Sequence, residues 1–132
     1  MFLTGCDGDN NFTPIKEGST LEFGPECKMG GCSWTKVESM NVSPLDKDTI
    51  SVTVKNFYSS AEDENSKPKE WNDGGESKIT CSKTKPDYDG TVLNINDNQP
   101  TSGAELSAVQ EYFAVCHSFT GDIEEAKKKF HY

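Results

Sequence analysis

A chain of 132 residues with 22 acidic and 13 basic side chains carries a net charge of −9, which repels phosphate backbones and anionic headgroups at long range. That excludes a nucleic-acid role and favours encounter with a basic protein or a cation. With 33% hydrophobic residues and a mean hydropathy of −0.71, the chain supports one modest core separated by long polar loops. Its five cysteines include no Cys-x-x-Cys pair, so they point to disulfides in an oxidising compartment rather than to zinc, with one cysteine left over.

The odd one is Cys6. Leu3-Thr4-Gly5-Cys6 resembles the lipobox of bacterial lipoproteins: Leu, a small residue, Gly or Ala, then the Cys that becomes the lipidated first residue. The resemblance covers four positions, and Met1-Phe2 is too short to supply the basic and apolar parts of a secretory signal, so residues 1–6 read as a shortened one. It implies cleavage before Cys6 with acylation of its sulfur and amine. Several chains at one residue anchor stably, where a single chain is marginal. The implied location is the bacterial envelope, facing the periplasm, with membrane contact through the lipid only and the choice of membrane open. Residues 7–20 begin Asp-Gly-Asp-Asn-Asn-Phe-Thr-Pro, lack apolar periodicity in that stretch and read as a flexible tether; residues 21–132 read as one domain.

Residues 21–23 predict a short edge strand, and Cys27-Lys-Met-Gly-Gly-Cys32 a tight loop whose spacing permits a local disulfide. Crossed pairings stay open, because four cysteines allow three connectivities. Residues 33–42 predict a strand with a bulge, and residues 49–58 a cleaner one with Ile50, Val52 and Val54 on one face. The turn chemistry of Ser43-Pro-Leu-Asp-Lys-Asp48 joins the two as an antiparallel hairpin.

Residues 59–76 have no apolar period and predict a long exposed loop, a common place for function. Its Glu62, Asp63, Glu64, Glu70, Trp71 and Asp73 are the candidate partner-binding residues, with Trp71 either packed back onto the core or displayed as an anchor. Residues 77–83 and 91–96 predict a second strand pair about the hairpin signal Asp89-Gly90.

From residue 104 to 119 the period is helical. Ser102 and Glu105 match a capping box, and Leu106, Val109, Phe113 and Cys116 form a stripe that places Cys116 on the buried face. A Cys81–Cys116 bond would fasten that helix to the Ile79 face of the sheet. Gly121 ends the helix, and Asp122 with Glu125 starts another that has Lys127, Lys128 and Lys129 in its last turn. The predicted fold is α+β: an antiparallel sheet of about four strands packed by one or two C-terminal helices and stabilised by disulfides.

Cys32-Ser-Trp34, Cys81-Ser-Lys83 ahead of Pro86, and Cys116-His117 together resemble a pattern in small uncharacterised Gram-negative envelope proteins. The resemblance spans residues 32–117 and implies no activity.

Catalytic patterns fail on geometry. Cys116-His117 are adjacent on a helix, about 100° apart, and read as a disulfide cysteine beside an exposed His. Ser33-x-x-Lys36 and Ser82-x-x-Lys85 fall in predicted strands, where that spacing separates the pair onto opposite faces. Asp7, Asp9 and Asn11, and Asn94, Asn96, Asn98 and Glu105, imitate calcium loops without the required glycine. No cofactor or metal is implied. The expected function is non-catalytic: an immunity or inhibitor lipoprotein binding a basic secreted toxin or hydrolase. The alternative is an envelope-assembly or secretion-system accessory lipoprotein.

Overall fold

The computed structural model describes residues 12–28, 31–61, 70–95 and 103–132. Strands β1 (Thr20–Lys28), β2 (Gly31–Asp46), β3 (Thr49–Ala61), β4 (Asn72–Cys81), β5 (Asp87–Tyr88) and β6 (Thr91–Val92) precede helices α1 (Gly103–His117) and α2 (Ile123–Lys129). The strands lie side by side in sequence order, each antiparallel to the next.

Alternation along the strands separates two faces. Val37 and Ser39 of β2, Ile50, Val52, Val54 and Asn56 of β3, and Ser77, Ile79 and Cys81 of β4 are buried on one of them. The expected bulge is present at Met40, where the register slips between Ser39 and Asn41, so that Val42 comes opposite Val52. Helix α1 covers this face with Val109, Tyr112, Phe113 and Cys116. The disulfides are Cys27–Cys32, opposite each other on β1 and β2, and Cys81–Cys116, which ties β4 to α1 with 5.6 Å between Cα atoms.

The sheet exceeds the expected four strands, for two reasons. The edge strand read at residues 21–23 runs nine residues because pairing with β2 extends it. The Asp89-Gly90 turn joins two-residue strands β5 and β6, so Thr91 and Val92 pair with Tyr88 and Asp87 instead of with β4. Residues 72–76, read as loop, begin β4, because ladder hydrogen bonds to β3 need no apolar pattern.

Two assignments on α1 also change. Leu106, expected on the buried stripe, is exposed, whereas His117, expected outside, is buried. The C-terminal half of α1 is enclosed on several sides. Phe12 approaches His117 from the N-terminal segment, and after α2 the chain returns to stack Phe130 on the His117 ring at 4.0 Å. Asp122 caps α2 by accepting from Glu125 N–H, as expected, and three lysines fill its last turn. Ser102 of the expected capping box lies outside the described residues.

Of the span 7–20 read as tether, residues 12–20 belong to the folded body. Thr13 N–H donates to the Cys116 carbonyl at 2.9 Å and Ile15 N–H to Val115 at 3.1 Å, satisfying carbonyls that a helix end leaves open. Ile15 is buried and Ser118 Oγ–H donates back to the Thr13 carbonyl at 2.7 Å.

Candidate functional site

The face of the sheet opposite α1 is covered by no described element. Cross-strand pairing sets its residues side by side: Trp34 with Ser59, Lys36 with Phe57, Glu38 with Lys55, then Phe57 with Asp73 and Lys55 with Glu76. The Lys36 ammonium lies between two aromatic rings, 4.9 Å from Phe57 and 4.8 Å from Trp71. Ser59 Oγ–H donates to the Glu70 carbonyl and fixes the chain leading into β4. Trp71 is therefore half-buried on the outer face, rather than packed into the core under α1.

Asp73 carries the rim of this patch. Its carboxylate accepts from Gly75 N–H at 2.8 Å and lies 3.4 Å from Lys55 Nζ. The backbone bond first, and the lysine second, hold its carboxyl below the usual range. Glu70, Trp71 and Asp73 thus converge at one end of the sheet. Glu62, Asp63, Glu64 and Cys6 lie outside the described residues.

A second feature was not legible as a site. Between α1 and the inner face, at the same end of the sheet, is a cavity of about 350 Å³ walled by Phe23, Pro25, Thr35, Tyr58, Tyr88 and Glu111. Tyr58 can lie along this wall because β4 bulges at Gly74, where any side chain would collide with the ring. Gly24, at φ 134°, turns β1 so that Pro25 closes the opposite wall.

Glu111 is only 4% exposed. Asn56 is oriented with its carbonyl accepting from Ser77 Oγ–H at 2.8 Å, so its amide nitrogen donates to Glu111 Oε2 at 2.7 Å and Oε1 at 3.3 Å. The reverse orientation would press the amide oxygen against the carboxylate. The Tyr88 phenol lies beside the same carboxyl and lowers its pKa. Burial, outweighing the opposing effect of the Tyr88 phenol, pushes Glu111 up to about 7, and the neighbouring Asp89 charge adds to it. The helical wheel sets Glu111 off the apolar stripe, where a carboxylate reads as solvated. The available signal was the unbroken run Tyr112-Phe-Ala-Val-Cys116, which buries the helix all round and takes its neighbour with it.

A second buried polar cluster joins Tyr112, Tyr132 and His117. Tyr112 Oη–H donates to the Ser82 carbonyl at 3.0 Å, lies 2.6 Å from Tyr132 Oη, and that oxygen is 2.8 Å from His117 Nε2. Burial pushes Tyr112 up to about 12. These bonds join the C-terminal strap to α1 and face no cavity described above. Among the described residues no three His, Cys, Asp or Glu side chains are grouped to hold a metal ion, and no helix is long and apolar enough to cross a membrane. No protein-family model, curated protein or solved structure matches the chain.

Proposed function

We propose that this is a lipid-anchored protein of the bacterial envelope, tethered through Cys6 and facing the periplasm, that acts without catalysis by binding a basic protein. The concrete form is an immunity or inhibitor protein that neutralises an envelope-acting toxin or hydrolase. The observation that carries the reading is the outer face, where Phe57 and Trp71 flank Lys36, and Trp34, Glu38 and Asp73 stand at neighbouring cross-strand positions. An aromatic centre with a charged rim is how binding energy concentrates in protein interfaces. The net charge of −9 supplies long-range attraction for a basic partner.

Binding is tested with the partner captured from the native envelope, purified and titrated by calorimetry. Trp71→Ala should weaken affinity by about thirtyfold, or about 2 kcal/mol, and raising salt should weaken it further. Binding that ignores salt and survives Trp71→Ala sinks the proposal. For the anchor, Cys6→Ser should move the protein from the membrane to the soluble fraction and remove the acyl mass from the intact protein. An unchanged distribution refutes lipidation.

A further inference from the structure

Glu111 presents an unusual combination: a carboxyl almost wholly withdrawn from bulk water, yet lining a cavity that opens to the surface. Its polar contacts on the protein side are the Asn56 amide and the Tyr88 phenol, from the floor strands β3 and β5. A carboxylate accepts about four hydrogen bonds, so its acceptor capacity exceeds these donors. The titratable and charged groups acting on it among the described residues are Tyr88 and Tyr58 on the sheet and Asp89 in the β5–β6 turn. None of these supplies a positive charge. A buried carboxylate without a counter-ion is costly, and a bound cation removes that cost.

The cavity walls fit the same ligand. Tyr58, Tyr88 and Phe23 offer aromatic surface, and Ser33, Thr35, Ser107 and Gln110 offer hydrogen-bonding groups around them. Aromatic faces attract cations, most strongly where water is excluded. A volume of about 350 Å³ is near the lower bound of small-molecule sites, enough for one charged head and a short chain.

We propose that this cavity binds an organic cation, an amino or guanidino group on a short aliphatic chain, with Glu111 as its counter-ion and Tyr58 and Tyr88 as its walls. This is a site apart from the outer face and does not depend on what that face binds. The same chemistry has two sources, a free amine or the lysine or arginine side chain of a protein.

The test is nuclear magnetic resonance titration of the ¹⁵N-labelled protein with agmatine, with N-acetyl-arginine methylamide and with the matched citrulline compound, which is neutral. Saturable shifts at the amides of Phe23, Tyr58, Tyr88 and Glu111 are expected with the two cations and not with citrulline. Tighter binding of agmatine identifies a free amine as the source, and tighter binding of the blocked arginine identifies a protein side chain. Because the cation needs the ionised carboxylate, affinity should be about thirtyfold weaker at pH 5.5 than at pH 8 in the unaltered protein. Glu111→Gln should abolish the shifts. Ala108→Leu, which fills the cavity from α1 with Glu111 intact, should do the same and serves as the second variant if Glu111→Gln misfolds. Equal responses to arginine and citrulline, an affinity indifferent to pH, or no saturable shift with either cation overturns the proposal.

Discussion

Replacing Glu111 by Gln is expected to make the protein more stable at pH 8 by about 3 kcal/mol, and at pH 5 by only about 1 kcal/mol. The sign follows from where the proton is held. In the folded protein the carboxyl titrates at about 7, against 4.5 for an unperturbed group, so between those values the native state binds a proton that the unfolded chain has released. Stability therefore falls as pH rises through that window and levels off above it. Gln keeps a carbonyl for Asn56 to donate to, and carries no charge to desolvate. The measurement is urea unfolding of both proteins across pH 5 to 8, read as the difference between them, which largely cancels the other carboxylates. Parallel curves would mean that Glu111 is already ionised and solvated in the fold.

The second large effect belongs to the covalent bond between β4 and α1. Removing it as Cys81→Ala with Cys116→Ala should cost about 3 to 4 kcal/mol in the chain-entropy model, since the bond closes a separation of 35 residues. Both cysteines are fully buried, so the lost sulfurs also leave a void, and that acts in the same direction. The Cys27–Cys32 bond spans only 5 residues, and the same model gives it about 2 kcal/mol. Typical domains have about 5 to 15 kcal/mol in total, so only the first loss brings the protein near its unfolding limit. Unfolding midpoints of the two double variants check the order, and a larger loss from the Cys27–Cys32 pair would contradict it.

How much of this was legible depends on whether burial or pairing made the structure. Ile50, Val52 and Val54 alternate because one face of β3 is buried, and the hairpin with β2 followed directly from that pattern. Asn72 to Glu76 carries no such pattern; its strand exists because β3 offers backbone partners, which leaves no trace in side-chain periodicity. The Cys81–Cys116 bond was readable because the helical stripe put Cys116 opposite a strand cysteine. The site split in the same way. Trp71 and Asp73 were picked out by residue type in a polar stretch, whereas Glu111 was hidden by the assumption that a charge off the apolar stripe meets water. Leu106 and His117 were misplaced by that same two-sided picture of α1, which the N-terminal segment and the C-terminal strap turn into an enclosed helix.

The strand order has a consequence for how the chain is made. Each strand pairs with its predecessor, so the sheet can grow hairpin by hairpin with short loop closures as the chain emerges. Its apolar face, with Val37, Val52, Val54 and Ile79, nevertheless packs under the Val109, Tyr112, Phe113 and Cys116 side chains of α1, which comes after all six strands. A nascent chain thus holds a finished sheet with one wet hydrophobic side until α1 follows. That interval is when aggregation competes with folding, and the time of arrival of one helix sets its length.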